Sequence, residues 1–202
     1  MSRSSFATAR AAVRPIDLAG AGAAADERTN QLTKPPGSLG RLESLGTQLA
    51  AIARTCPPPV PEPVRVCVFA GDHGVLARGV SPWPQEVTAQ MVANFCTGGA
   101  AVNVLARHAG AEVTVVDVGV ATPLPVGSAA LLGRNVRRGT ADLSTGPAMT
   151  ADEALAALDV GAEVAADAAA DGARLLVTGE MGIGNTTPAA ALIAACTGSS
   201  AR

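Results

Sequence analysis

The sequence is poor in aromatic residues: among its 202 residues it has no tyrosine, one tryptophan and three phenylalanines. Proteins that bind single-stranded nucleic acid stack the bases on aromatic side chains, so this composition argues against that class. The net charge is −2 and no basic cluster is present, which argues against nucleic acid and anionic membranes as partners. No apolar run in the sequence reaches the length that spans a bilayer.

Cysteine and histidine are also scarce. The cysteines form no CxxC pair, so the sequence predicts neither a zinc site nor a disulfide framework; they are Cys56, Cys67, Cys96 and Cys196. Reduced thiols favour a cytoplasmic protein. Asp72 and His73 follow a predicted strand, but His108 is the only other histidine that could complete a metal site. We therefore interpret Asp72 and His73 as hydrogen-bonded structural residues, and we predict no metal and no cofactor.

The order of the predicted elements indicates the fold. Hydrophobic residues make up 48% of the chain, which favours a folded core. Apolar runs at residues 64–70, 112–118 and 175–177 predict buried strands, and each is followed by a helical pattern. This alternation predicts a Rossmann-like parallel sheet with helices on both faces, an α/β fold of three layers. We assign residues 56–202 to this domain and residues 1–55 to an N-terminal helical segment.

Several helices have start and stop signals of their own. Ser38 is a good N-cap for a helix whose buried face is predicted to comprise Leu39, Leu42, Leu45, Leu49 and Ile52. Thr150 and Glu153 form a capping box for a long alanine-rich helix that ends at residues 171–172. Residues 120–149 are predicted to be irregular. Their arginines either meet an anion or belong to a solvated basic loop; these are Arg134, Arg137 and Arg138.

A glycine-rich stretch, GEMGIGNTTP, occupies residues 179–188 directly after the third predicted strand. Its last residues can cap a helix, and Pro188 suits the first turn of that helix. Backbone N–H groups and the positive end of the helix dipole would then point at one spot, which suits a phosphate. Many glycine loops only turn the chain, and this one has neither the Walker nor the dinucleotide fingerprint, so both interpretations stay open.

Glu180 is the charged residue of this stretch. A site for an anion gains nothing from a carboxylate, so Glu180 suggests a second task, such as stabilising a cation or a developing positive charge. The alternative is a solvated loop carboxylate without a role in chemistry.

The helical pattern that starts at Gln85 places Val87, Met91 and Phe95 four residues apart. Such a stripe is typical of a core. Because the helix follows a strand-end loop, its first turn can instead line a pocket for a flat apolar ring.

Five segments, taken together and in order, resemble the nicotinate-nucleotide–dimethylbenzimidazole phosphoribosyltransferase family, which acts in assembly of the lower ligand of cobalamin. They are LTKPPGSLGRLE (residues 32–43), AGDHGV (70–75), GVSP (79–82), GTAD (139–142) and GEMGIGNTTP (179–188). Five co-linear motifs are far more specific than any one of them alone.

The resemblance implies a reaction and a set of site residues. The phosphoribosyl group of nicotinate mononucleotide moves to 5,6-dimethylbenzimidazole, giving α-ribazole 5′-phosphate and nicotinate. Glu180 is the implied catalytic residue, and Ser81 and Met91 are implied to line the benzimidazole site. The implied phosphate- and ribose-binding residues are Gly182, Gly184, Asn185, Thr186 and Thr187. The expected partners are the two small-molecule substrates, and the full-length family is expected to form homodimers.

Length sets this chain apart from the family. Family members are considerably longer, and their C-terminal part carries a glutamate proposed as the general base. We therefore expect the C-terminal part of the family fold to be missing and the 202-residue chain alone to be nearly inactive. The alternative is a non-catalytic module that binds a nucleotide or a benzimidazole.

Overall fold

The computed structural model describes residues 5–124 and 127–200 of the chain. Within them, four strands form one sheet in which every neighbouring pair is parallel. The strands are β1 (Val64–Gly71), β2 (Ala111–Gly119), β3 (Leu131–Gly133) and β4 (Leu175–Met181), in the spatial order β3-β2-β1-β4. The parallel sheet predicted from the alternation of elements is therefore confirmed.

Two strand predictions are wrong in their extent. Residues 120–149 are not wholly irregular, because β3 pairs with β2 over three residues. Strand β4 does not end at Val177 but continues to Met181, since its pairing with β1 runs on through Phe69 opposite Glu180. Glu180 thus lies in a strand rather than in a loop. The backbone ladder with β1 stabilises an extended conformation that glycine and glutamate do not favour by themselves.

Helices connect the strands. α4 (Glu86–Thr97) and α5 (Ala101–His108) lie between β1 and β2, α6 (Ala151–Ala170) precedes β4, and α7 (Thr186–Thr197) follows it. The predicted capping box of α6 is confirmed: Glu153 N donates to Thr150 Oγ1 over 3.1 Å, and Thr150 N donates to Glu153 Oε2 over 2.8 Å. The helix ends as predicted, with Asp171 as C-cap and Gly172 at φ +98°.

Alternate side chains of β1 enter two cores on opposite faces of the sheet. One face packs Val66 and Val68 against Val92 and Phe95 of α4. The other face packs Cys67 of β1 and Val116 of β2 against Val160 and Val164 of α6. Helices therefore cover both faces, which confirms the predicted three layers. This alternation follows from the two-residue side-chain period of a strand.

The chain separates into two compact units. One comprises residues up to Ala9 together with the chain from Glu62 onward, and the other comprises residues 10–61. Residues of α1 (Ser5–Ala12) join the first unit because Phe6 N donates to Asp159 Oδ1 of α6 over 2.7 Å. The assignment of residues 1–55 and 56–202 as separate functional domains stays a prediction.

In the unit of residues 10–61, the α-helices that lie wholly within it are α2 (Ala23–Asn30) and α3 (Arg41–Ala53), and a short π-helix spans Leu18–Gly22. The predicted N-cap Ser38 is wrong, because α3 begins after Gly40. The carboxylate of Glu43 reaches back instead, accepting from Leu39 N over 3.2 Å and from Lys34 Nζ over 2.7 Å. The Lys34 ammonium lowers the pKa of Glu43 below its ordinary value.

The predicted buried face of α3 is also wrong. Ala50 and Ala51 are the buried residues of this helix. The apolar residues expected inside are exposed: Leu39, Leu42, Leu45, Leu49 and Ile52. Helical spacing reports that these residues share one face, but it does not report whether the described chain supplies anything to cover that face.

Candidate functional site

The site lies where β1 and β4 end. These strands are parallel neighbours, and Ala70 is paired with Met181. The segments that follow the two strands therefore leave the sheet side by side, at the same end. Ligands of open parallel sheets bind outside the carboxyl ends of the strands. The loop after β1 begins with Asp72 and His73, and the loop after β4 begins with Gly182.

Asp72 is buried and holds the loop after β1 in place. Its Oδ2 accepts from Ala121 N over 2.8 Å, its own N–H donates to Gly119 O over 2.9 Å, and its carbonyl accepts from Thr140 N over 2.9 Å. The structural role predicted for Asp72 is confirmed. Its Oδ1 is buried and has no hydrogen-bond partner among the described residues.

The segment 139–142, one of the family motifs, packs directly onto this loop. Gly74 N donates to Thr140 Oγ1 over 3.1 Å. A side chain at Gly74 would place its Cβ 2.5 Å from the carbonyl oxygen of Thr140, so only glycine fits there. Two of the family motifs, residues 70–75 and 139–142, therefore contact each other in the fold.

Asp142 ties the same segment to the short 3₁₀ helix Gly74–Arg78. Its Oδ2 lies 2.5 Å from Nε of Arg78, and its Oδ1 accepts from both the hydroxyl and the N–H of Ser144. These bonds, led by that from the Ser144 hydroxyl, lower the pKa of Asp142 to about 2. The sequence does not predict the Arg78–Asp142 pair. It does carry a signal for the Asp142–Ser144 bonds, because an Asp two residues before a Ser is typical of a turn closed by the Asp side chain.

Glu180 stands at the end of β4 and faces solvent, with a side chain that is 48% exposed. Its Oε2 accepts a hydrogen bond from Nδ2 of Asn185, and its Oε1 lies 3.6 Å from Nε2 of His73. His73 Nε2 is itself buried and has no hydrogen-bond partner among the residues that the structure describes. The two strand ends therefore meet at a carboxylate whose orientation is restricted by Asn185 and His73.

Gly182 lets the two loops approach this closely. A Cβ at Gly182 would overlap the carbonyl oxygen of Gly71 and lie 2.6 Å from His73 Nε2. The residue is buried and tolerates no side chain. Gly184 has φ +84°, and a Cβ there would lie 3.3 Å from Val80 Cγ2. Both glycines are thus required by the fold itself, apart from any contact with a ligand.

The backbone donors of the glycine loop are only partly available. Ile183 N donates to the buried Thr88 Oγ1 over 3.1 Å, Asn185 N to Gly182 O over 3.0 Å and Thr187 N to Gly184 O over 3.2 Å. Over residues 5–124 and 127–200, the N–H groups of Gly184 and Thr186 have no partner. Helix α7 begins at Thr186, and the Asn185 side chain forms no cap bond. Asn185 is the N-cap residue, one of the positions that the sequence offers for capping, but its side-chain amide binds Glu180 instead of capping the helix.

A cleft of about 400 Å³ opens beside the loop after β1. It is lined by Gly74, Leu76, Ala77, Ser81, Pro82, Trp83, Pro84 and Gln85. Leu76 also contacts the position of Gly184, so the cleft adjoins the glycine loop. Ser81 lies in the cleft wall. Met91, a residue of α4, packs against the hydrophobic core and is not among the lining residues.

The three arginines of the segment after β2 do not converge on this site. Arg137 Nη1 pairs with Glu153 Oε2 over 3.1 Å, Arg138 Nη1 donates to Val120 O over 3.3 Å, and Arg134 Nη1 donates to Gly133 O. Their contacts are with their own α/β unit.

Thr88 is the site residue for which the sequence carries no signal, since its contact with Ile183 spans 95 positions.

Neither a metal cluster nor a membrane span is found in the part of the chain that the structure describes. Residues 5–124 and 127–200 contain no group of three or more His, Cys, Asp or Glu side chains placed to hold a metal ion. Over the same residues, no helix is both long enough and apolar enough to cross a membrane.

Comparisons with known proteins agree on one family. A family model described as "Phosphoribosyltransferase" matches residues 13–202. The nicotinate-nucleotide–dimethylbenzimidazole phosphoribosyltransferase of Salinispora tropica is 56% identical, with 91% of this chain and 54% of the relative covered. That of Roseiflexus castenholzii is 54% identical, with 88% and 50% covered.

Among solved structures, the enzyme of the same name from Thermus thermophilus is similar, with a TM-score of 0.85 and 53% identity. The match covers 88% of this chain and 53% of that chain, so this chain spans about half the length of the relatives it matches. Since both the sequence match and the structural match extend over most of its residues, the chain belongs to the nicotinate-nucleotide–dimethylbenzimidazole phosphoribosyltransferase family.

Proposed function

We propose that this chain forms the part of a phosphoribosyltransferase that holds nicotinate mononucleotide for transfer of its phosphoribosyl group to 5,6-dimethylbenzimidazole. The products are α-ribazole 5′-phosphate and nicotinate, in synthesis of the cobalamin lower ligand. The observation that carries the proposal is the meeting of two strand ends. An exposed carboxylate, two open backbone N–H groups and a cleft lie next to one another there.

The 5′-phosphate is proposed to bind at the start of α7. The N–H groups of Gly184 and Thr186 are the open donors, and the hydroxyls of Thr186 and Thr187 add two more. The positive end of the helix dipole favours the same anion. Of the phosphate-binding residues implied by the resemblance, Gly182 acts by allowing the close packing of the loop. Asn185 acts through Glu180.

Glu180 is proposed to stabilise the positive charge that develops at C1′ of the ribose. In the transfer, the bond from C1′ to the nicotinate nitrogen breaks, and its electron pair stays on that nitrogen. A benzimidazole nitrogen forms the new bond to C1′ from the opposite side, so the configuration inverts. The proton on the other benzimidazole nitrogen leaves to a general base, which the resemblance assigns to the C-terminal part of the longer family members. A fixed carboxylate near C1′ lowers the energy of the charged transition state.

The cleft is proposed to hold the benzimidazole. Ser81 supplies a polar edge in the cleft wall, and Leu76 and the neighbouring prolines supply apolar surface. Met91 stays part of this proposal through the resemblance. Its position against the core means that it would act on the cleft through the packing of α4.

The setting of the enzyme is also a proposal. A cytoplasmic location is supported by the four cysteines, all of which are unpaired. A homodimer is proposed from the family resemblance, and light scattering on a full-length relative tests it. The chain spans about half the length of its relatives, so we propose that it does not catalyse the reaction alone. The same observation favours the second candidate function, a nucleotide- or benzimidazole-binding module without turnover.

A charge-removing substitution tests the role of Glu180. In the full-length Salinispora tropica relative, the change equivalent to Glu180→Gln is expected to lower single-turnover transfer by roughly 10²–10³-fold, with nucleotide affinity nearly unchanged. Glutamine keeps the shape and removes the charge. The matched control is the equivalent of Glu62→Gln, at the opposite end of β1. A glutamine variant as fast as the parent contradicts the catalytic role.

Calorimetry with nicotinate mononucleotide tests the phosphate site in this chain. Gly184→Val is unsuitable as a probe, because φ +84° and the nearby Val80 make any side chain there destabilising. Thr186→Val keeps the shape and removes one donor, so affinity is expected to fall by about tenfold or more. Thr197→Val, at the other end of α7, is the control. Equal affinity of the two variants contradicts the assignment.

A further inference from the structure

The imidazole of His73 has a ring nitrogen whose hydrogen-bonding capacity is unused. The backbone of this residue is engaged, since its carbonyl accepts from Leu76 N over 3.0 Å at the start of the 3₁₀ helix. Its side chain is only 19% exposed, and Nε2 is buried without a hydrogen-bond partner among the residues that the structure describes. Buried polar atoms are normally paired, so an unpaired one calls for a partner.

The surroundings of Nε2 leave one acceptor within reach. Oε1 of Glu180 lies 3.6 Å from Nε2, just beyond hydrogen-bond distance. A Cβ at Gly182 would lie 2.6 Å from Nε2 and 2.9 Å from Cδ2, so the edge of the ring lies against the backbone of Gly182. Because Nε2 is buried and Glu180 is half exposed, a ligand reaches the carboxylate rather than the ring nitrogen.

The carboxylate of Glu180 is held at one oxygen only. Its Oε2 accepts from Asn185 Nδ2, and the oxygen without a hydrogen bond is Oε1, the one nearest to His73. A carboxylate bound through one oxygen can still rotate about that contact, whereas a hydrogen bond to each oxygen fixes its plane. Each oxygen has two lone pairs, so a carboxylate held in this way can still face a positive charge.

We propose that His73 is a positioning residue for Glu180: its Nε2–H donates to Oε1 when nicotinate mononucleotide is bound, and both oxygens of the carboxylate are then fixed. This inference rests on the function proposed above for Glu180. The hydrogen bonds of active sites are often long without substrate and tighten in the complex, and a small shift closes the present gap. The ring is neutral in this arrangement, because an imidazolium would cancel the charge that Glu180 supplies. A carboxylate fixed in advance stabilises a developing charge better than a mobile one.

Nitrogen NMR of the imidazole rings tests the donor in the 202-residue chain and needs no substrate. The chain has two histidines, His73 and the exposed His108 at the end of α5, and His108→Gln assigns the two rings. His73 is expected to carry its single proton on Nε2, the nitrogen that faces the carboxylate. Either an unprotonated Nε2 or a ring protonated on both nitrogens at the pH of the transfer assay overturns the proposal.

Single-turnover transfer by the full-length Salinispora tropica relative tests the positioning role. The equivalent of His73→Phe keeps a flat ring and removes the donor, so transfer is expected to slow by about 10–100-fold. The equivalent of His73→Gln keeps an N–H near the place of Nε2 and is expected to restore most of that rate. Nucleotide affinity is expected to be nearly unchanged in both variants, because the donor acts on Glu180 and not on the nucleotide. The equivalent of His108→Phe is the matched control, with the rate of the parent.

A double substitution shows whether His73 acts through Glu180. In the Glu180→Gln background, His73→Phe is expected to change the rate by less than about twofold, because the charge that it positions is already absent. A purely structural His73 would instead slow transfer by the same factor in both backgrounds. Urea denaturation of the 202-residue His73→Phe variant is expected to give the midpoint of the parent, since Nε2 has no partner there to lose.

The kinetic outcomes separate this inference from the proposed function. A fast His73→Phe variant beside a slow Glu180→Gln variant overturns the inference and leaves the proposed function in place. Equal losses from His73→Phe in both backgrounds overturn it as well, because they assign His73 to the structure. A Glu180→Gln variant as fast as the parent contradicts the proposed function and the positioning role together. The position of the His73 proton keeps the proposal testable if His73→Phe fails to fold.

Discussion

The loops after β1 and β4 leave the same edge of the sheet, but they use their polar groups in opposite ways. In the first loop, Asp72 is buried and its carboxylate, N–H and carbonyl all bind the protein. In the second, Glu180 is half exposed, and the N–H groups of Gly184 and Thr186 have no partner among the described residues. The first loop is organised as a scaffold, and the second is the loop proposed above to meet a ligand.

This difference has a physical consequence for substitutions. A buried polar group that already binds the protein contributes to stability, and its removal leaves a partner unsatisfied in a dry environment. Changing an exposed group costs the protein little stability, so the effect of the change is confined to binding or turnover. The two loops touch at Gly182, and the second loop is also linked to α4 through Thr88. Changes at these points test whether the loops act separately.

The largest effect is expected from Gly182→Ala, which forces the loops apart. The new Cβ would overlap the carbonyl oxygen of Gly71, so backbone atoms of one loop or the other would have to shift. We expect a loss of at least about 3 kcal/mol in the free energy of unfolding, measured by urea denaturation. Gly146→Ala is the control, since a Cβ there meets nothing within 4 Å. Equal midpoints for the two variants would show that the loops are not in close contact.

Asp72→Ala tests the scaffold role of the first loop. It leaves the Ala121 N–H without its charged acceptor, so we expect a loss of about 2–3 kcal/mol in unfolding free energy. Asp72→Asn keeps one acceptor oxygen, and its loss should be smaller. The exposed Asp167→Ala on α6 is expected to change stability by less than about 0.5 kcal/mol. A stable Asp72→Ala variant with weakened nucleotide binding would instead place Asp72 with the ligand.

Thr88→Val tests the anchor of the second loop. Valine keeps the shape of the buried side chain and removes the acceptor of the Ile183 N–H, which should cost about 1–2 kcal/mol. Amide exchange at Ile183 should accelerate more than exchange within β1. Thr97→Val, at the exposed end of the same helix, is the control. Unchanged exchange at Ile183 would mean that the glycine loop is held by its own bonds alone.

The smallest effect concerns pH and Asp142. Its folded pKa of about 2 lies below the ordinary 3.8, so its bonds to Ser144 and Arg78 stabilise the protein above about pH 4. That contribution is lost as the pH falls from about 4 to about 2. Asp142→Asn should remove this part of the acid sensitivity, seen as a shallower fall of the unfolding midpoint over that window. The wild-type slope in the variant would show that Asp142 titrates normally.

Much of the fold is predictable because its signals are local. The periods of apolar residues identify three strands and the helices between them, and the capping box fixes the start of α6. Parallel strands with helical connections place their carboxyl ends together, so the neighbourhood of Asp72 and Gly182 also follows from the order of elements. The sequence alone determined this framework, since each signal depends on residues a few positions apart.

Tertiary structure decided what each local signal leaves open. The ladder with β1 extended β4 through Glu180, and the contact of Thr88 with Ile183 joined residues 95 positions apart. Met91 went to the core and Ser81 to the cleft, although both follow the same strand. The leucines of α3 kept their helical spacing but stayed exposed. Periodicity states which side chains share a face, and only the packing of distant segments determines what that face meets.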